Sequence, residues 1–129
     1  MNIIVDTSIV LAVALEEPEK TAIVEHTSGA DISAPEVLTF EIGNALSAMC
    51  RRRQLSPEQV LAVHTVTQQI PIRLLSIDIT GALNIALKFN IYAYDAYFLE
   101  CAHTHGHPLM TLDRRMREVA AEMGIEVLE

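Results

Sequence analysis

Short apolar runs rich in β-branched residues alternate with longer helical stretches along the whole chain. Asn2-Ile-Ile-Val5 opens the series, and Asp31–Ser33, Arg73–Ile77, Pro108–Leu112 and Ile125–Leu128 read as further strands. Runs without in-and-out alternation are strands buried on both faces. Between them the pattern predicts helices over Ile9–Leu15, with Thr7 or Ser8 as cap, from Glu17 to about Thr27, and over Pro35–Arg53. Ser56-Pro-Glu-Gln59 reads as a cap, a tolerated proline and a capping-box partner, starting a helix that runs to Gln69. Ile79–Phe89, Tyr94–His105 and Arg114–Met123 complete the set, with Gly106 and Gly124 as stops. Strands separated by helices must pair mostly in parallel, with helices on both faces. The expected fold is therefore α/β, a three-layer α/β/α sandwich around a mostly parallel sheet. Two consecutive helices between Pro35 and Gln69 suggest a helical arm beside that sheet.

The chain has 129 residues without a repeat, linker or low-complexity tract, so residues 1–129 are expected to form a single domain. Its longest clean apolar run, Ile9 to Leu15, is too short for a membrane span, which needs about 20 residues. No basic residue precedes the first apolar stretch, and Asp6 interrupts it, unlike a secretory leader. Cys50 and Cys101 lack a C-x-x-C partner, and a reducing cytoplasm is the expected compartment. The net charge of −8 disfavours a broad basic surface as the means of holding nucleic acid. It leaves open an enzyme that engages nucleic acid through metal ions. Six of the nine basic residues fall in two runs, Arg51–Arg53 and Arg114, Arg115 and Arg117.

Ligands of open α/β sheets sit beyond the carboxyl ends of the strands. Asp6 follows the first strand and Asp113 follows the Met110–Leu112 segment. Each alone also fits a turn or cap residue. Glu41 lies about 60° from the centre of an apolar helix face defined by Leu38, Ile42, Ala45 and Met49. An edge glutamate reaching out to solvent is its other reading. Asp95 heads a stripe with Phe98, Leu99 and Ala102, and a first-turn acid favoured by the helix dipole has the same position. Together the four are candidates for one crevice. Two carboxylates about 4 Å apart repel by about 4 kcal/mol at an effective dielectric near 20. Divalent cations relieve that repulsion, and an all-oxygen site suits Mg²⁺ or Mn²⁺ rather than zinc. Ser8 and Thr111, each two residues from a candidate aspartate, are placed to orient carboxylates or waters.

Ile4-Val-Asp6-Thr-Ser8 resembles the opening motif of PIN-domain nucleases. Tyr94-Asp95-Ala96-Tyr97 resembles the family's Y-D-A-x-Y motif, with Tyr97 alone between Ala96 and Phe98. Leu109-Met-Thr111-Leu-Asp113-Arg-Arg115 resembles its late T-x-D motif, and Glu41 sits where the family has its helical glutamate. The motifs come in the family's order over essentially the whole chain, and the likeness is to VapC-type toxins of bacterial toxin–antitoxin pairs. The resemblance implies an α/β/α sandwich, Mg²⁺- or Mn²⁺-dependent cleavage of RNA, homodimerisation and inhibition by a cognate antitoxin. It implies that Asp6, Glu41, Asp95 and Asp113 are the catalytic, metal-holding quartet, Asp6 and Asp95 foremost. Ser8 and Thr111 match supporting positions.

Other readings remain open at this point. A PIN-like module without catalysis would keep the fold, and neither acids nor metals distinguish RNA from DNA. A phosphoacceptor receiver would need more acids after the first strand and a lysine after a late one. A D-x-D phosphatase would need an acid where Ser8 stands. His103, His105 and His107 alternate, but their side chains diverge through Gly106 and do not form a zinc motif. Arg51–Arg53 fit either a helix C-terminus or phosphate contacts. Arg114 and Arg115, directly after Asp113, are the better candidates for RNA phosphate contacts.

Overall fold

Ile3, Ile4 and Val5 have almost no accessible surface, and this run is the middle of a five-stranded sheet. A computed structural model describes residues 1–129. The strands are β1 (Asn2–Val5), β2 (Asp31–Pro35), β3 (Arg73–Leu75), β4 (Leu109–Met110) and β5 (Val127–Leu128). They lie in the order β3-β2-β1-β4-β5, and every pairing is parallel. The helices are α1 (Thr7–Ala14), α2 (Lys20–Thr27), α3 (Val37–Arg51), α4 (Pro57–Gln69), α5 (Ile79–Phe89), α6 (Ala93–His105) and α7 (Arg114–Glu122).

The first three strands step one way across the sheet and the last two step the other. Right-handed crossovers then place α1 to α4 on one face and α5 to α7 on the other. The packing agrees: α1 touches α2, α3 and α4, whereas α6 touches α5 and α7. This is the expected α/β/α sandwich, with a sheet that is wholly parallel. The switch in direction falls between β1 and β4, where chains leave adjacent strands to opposite faces and open a crevice at their carboxyl ends. Both sheet edges are strands of two or three residues, which limits unpaired backbone.

Local chemistry explains the boundaries. α4 starts with a complete capping box: Ser56 Oγ accepts from Gln59 N at 3.2 Å, and Gln59 Oε1 accepts from Ser56 N at 2.8 Å. α6 ends at Gly106, whose φ of 66° is the left-handed conformation glycine adopts at least cost. α1 begins two residues before the expected Ile9, because Asp6 itself is the cap and accepts from Ile9 N at 3.2 Å. α3 is shorter than expected, Val37–Arg51, since Pro35 and its neighbours extend β2. β4 and β5 are also shorter than their apolar runs, because only two residues of each enter the ladder. α3 and α4 pack on one another, and α4 also packs on α1. The arm is thus part of a helical layer. Cys101 is buried, Cys50 is only partly so, and both are free thiols. No helix is long and apolar enough to cross a membrane.

An unexpected buried acid lies between α5 and α6. Glu100 is 5% exposed; Thr104 Oγ1 donates to its Oε1 at 2.5 Å, and its Oε2 has no partner. The helices can approach so closely because residue 81 is glycine. A Cβ there would stand 3.2 Å from Asp78 Oδ2 and 3.4 Å from Glu100 Cγ.

Candidate active site

The β1–β4 register sets the crevice. Val5 pairs with Met110, so the next residues, Asp6 and Thr111, leave the sheet side by side. Both are buried, Asp6 at 4% exposure and Thr111 at 0%. Thr111 Oγ1 donates to Asp6 Oδ2 at 2.5 Å. Ser8 Oγ donates to Asp6 Oδ1 at 2.6 Å, and the backbone N–H of Ile9 reaches the same oxygen. Both Asp6 oxygens are thus fixed by the chain itself, as ligand-orienting hydroxyls fix a carboxylate. The two hydroxyls also brace the neighbouring loop: Ser8 Oγ accepts from Leu112 N and Thr111 Oγ1 from Asp113 N, each at 3.0 Å.

The other acids come from three helices. Asp113 caps α7, with Oδ1 accepting from Met116 N at 2.9 Å. Glu41 projects from α3, half-buried as its helical angle required, and its Oε2 accepts from Thr7 Oγ1 at 2.9 Å. Asp95 lies in the first turn of α6, where the unsatisfied N–H groups favour a negative charge. It does not cap that helix; Tyr92 holds the cap position without a side-chain bond.

The structure brings Asp6, Glu41 and Asp95 within electrostatic reach of one another, and Asp113 within reach of Asp6 and Asp95. Burial pushes the Asp6 carboxyl above its ordinary value, against hydrogen bonds from Ser8, Thr111 and Ile9, and the Asp113 charge adds to the push. Burial also raises Glu41; the Thr7 hydrogen bond opposes this, while Asp95 and Asp6 reinforce it. Asp95 is raised by burial first, then by the charges of Asp113 and Asp6. Without a cation the ionised cluster is costly, so the crevice favours protons or positive charge.

No group of three or more acidic, histidine or cysteine side chains stands as a ready-made metal cage. The donor chemistry still fits a hard cation. Mg²⁺ keeps several waters and is commonly held by only one or two carboxylates. Of the four acids, Asp6 is pinned, Glu41 and Asp113 are each tethered through one oxygen, and Asp95 is left free by the chain.

The expected arginines separate into two roles. Arg115 donates to the Phe89 carbonyl at 2.9 Å and lies 3.5 Å from Glu118, tying α7 to the end of α5. Arg114 is exposed and makes no such bond. Arg51–Arg53 form the exposed end of α3 and the turn after it. Two site residues escaped the sequence reading. The sequence offers Thr7 only as a helix cap, yet its hydroxyl reaches Glu41 on α3. Arg117 donates from Nε to the Thr111 carbonyl at 2.9 Å and so braces the strand end that carries Thr111. Its only sequence signal is a position one helical turn after Asp113.

A family model described as the PIN domain matches residues 3–122. No curated protein matches by sequence. Among solved structures, the fold resembles that of PAE2754 from Pyrobaculum aerophilum, with a TM-score of 0.69, 18% identity, and 96% of this chain and 90% of that one covered. VapBC2 from Rickettsia felis, bound to a DNA fragment from its promoter, matches with a TM-score of 0.67 and 12% identity over 100% and 98% of the two chains. VapC20 of Mycobacterium tuberculosis, described as a toxin cleaving the sarcin–ricin loop, matches with a TM-score of 0.62 and 12% identity over 90% and 93%.

Proposed function

This chain belongs to the PIN domain family, and from that premise we propose that it is a divalent-metal-dependent endoribonuclease, the toxin of a toxin–antitoxin pair. The observation that carries the reading is the crevice at the β1–β4 switch point. There burial and neighbouring carboxylates raise the affinity of Asp6, Glu41 and Asp95 for positive charge, and Asp113 adds its charge to Asp6 and Asp95. In this reading Asp6 and Asp95 hold Mg²⁺ or Mn²⁺, with Glu41 and Asp113 directly or through water. A cation held there would supply the charge that lowers the pKa of a water and offsets the charge of the phosphodiester. Asp6 keeps a single orientation because three donors fix it. Glu41 and Asp113 each keep one oxygen for a water or the ion. Arg114, free at the start of α7, meets an RNA phosphate, whereas Arg115 spends its guanidinium on Phe89 and Glu118.

Fold likeness to VapBC2 and VapC20 supports the antitoxin partner and the RNA substrate. Exposed Ile79, Leu83 and Leu87, spaced four residues apart along α5, supply an uncharged stripe for a second copy in a homodimer. The reading takes residues 1–129 as one catalytic unit acting in the cytoplasm.

The test is cleavage of a mixed cellular RNA pool by antitoxin-free protein with Mg²⁺, Mn²⁺ or chelator, beside folded Asp6→Asn and Asp95→Asn variants. Metal-dependent cutting lost in both variants is the expected result. Absence of cutting together with absence of calorimetric Mn²⁺ binding would leave an interaction module, and cutting of DNA alone would change the substrate.

A further inference from the structure

Glu41 is the one acid of the crevice whose place depends on a long side chain. An α3 glutamate has three rotatable bonds, and Asp6 and Asp95 both repel it. Unrestrained, it would relax toward water, since it is only partly buried. A single hydrogen bond opposes this: Thr7 Oγ1 donates to Glu41 Oε2 at 2.9 Å, across 34 residues of sequence. Thr7 is the first residue of α1, directly after Asp6, so the same β1–α1 junction holds both acids. The capping of α1 is done by Asp6, which leaves the Thr7 hydroxyl without a local duty.

We propose that Thr7 is a positioning residue: its hydroxyl holds Glu41 in the crevice with Oε2 occupied, so that Oε1 faces the space shared with Asp6 and Asp95. The donor is a hydroxyl with one proton, so it fixes one oxygen and leaves the other available. The inference rests on the metal-site reading above and adds to it an asymmetry. Asp6 is oriented from β4 and α1 together, Glu41 from α1 alone.

The test compares Thr7→Val and Thr7→Ser with the wild type. Valine keeps the β-branched shape at the start of α1 and deletes the donor; serine keeps the donor. Loss of such a supporting bond typically costs about 10–100-fold in metal affinity. Thr7→Val is expected to weaken calorimetric Mn²⁺ binding about tenfold, with Thr7→Ser within about twofold of wild type. In the metal-free protein, the Glu41 carboxyl carbon signal is expected to move in Thr7→Val and to stay in Thr7→Ser. Unchanged Mn²⁺ binding by Thr7→Val, or equal loss in Thr7→Ser, overturns the proposal while leaving the metal site standing. A wild type that binds no Mn²⁺ overturns both.

Discussion

Thr111 donates its hydroxyl proton to Asp6 at 2.5 Å, one step beyond the last paired residues of β1 and β4. The same oxygen accepts from the backbone N–H of Asp113, so one fully buried side chain orders two acids. Replacing it by valine preserves volume but leaves Asp6 Oδ2 without a donor and the Asp113 N–H without an acceptor. Thr111→Val is expected to lose about 1–3 kcal/mol of stability, the usual cost of stranding buried polar groups. A denaturation midpoint unchanged by this substitution would show that water replaces the hydroxyl.

The crevice trades stability for charge. Folded-state values of Asp6, Glu41 and Asp95 raised above their ordinary ones mean that the native protein binds protons the unfolded chain has released. Stability is therefore greatest below the unfolded values and falls as pH rises through the raised ones. Glu41→Gln and Asp95→Asn should raise the melting temperature of metal-free protein at neutral pH by roughly 2–5 °C, while abolishing cleavage. Scanning calorimetry in chelator decides the sign; a lower melting temperature in both variants would mean that the acids are satisfied as they stand.

The same shifts give cleavage a pH dependence. The carboxylates must be ionised to hold a cation, so activity should rise with pH through their raised values. A divalent ion competes with those protons, and the rising limb should move to lower pH as Mn²⁺ concentration increases. A limb that ignores metal concentration would assign it to another group.

How much of this could be read in advance depends on range. The Ser56–Gln69 helix was legible because its capping box is written within four residues. Half-burial of Glu41 followed from angular position on one helix, and the β1–β4 crevice from acids placed directly after strands. The Thr7–Glu41 bond was not legible, because it exists only once α1 packs on α3. The tie of Arg115 to α5 was not legible for the same reason: its carbonyl partner, Phe89, is contributed by a different helix. Glu100 lay unnoticed beside Cys101, since no local pattern announces that the residue facing it on α5 is Gly81.

That pairing makes its own prediction. Gly81→Ala must displace Asp78 Oδ2, which is exposed and can swing aside, and the Glu100 side chain, which is buried and has little room. The helical gain from alanine, about 1 kcal/mol, is expected to be outweighed by overpacking of roughly 1–3 kcal/mol. A chemical denaturation series would register the net loss; a gain would show that the α5–α6 contact yields readily.

The two arginines after Asp113 should behave differently. Arg114→Ala is expected to lower the salt slope of RNA binding by about one and to leave Mn²⁺ affinity unchanged. Arg115→Ala, which breaks the tie to Phe89, should instead lower thermal stability. Equal effects of the two on RNA affinity and on melting would remove the distinction.

The order of strands in the sheet also sets when the protein becomes dangerous. Asp6 is synthesised about a hundred residues before its partners Thr111 and Asp113, and β4 must then insert beside β1. A nascent or prematurely stopped chain carries three of the acids and lacks the wall that gathers them. On the proposed function, the producing cell is spared until β4 has been made and inserted, and the interval in which an antitoxin must arrive begins only then.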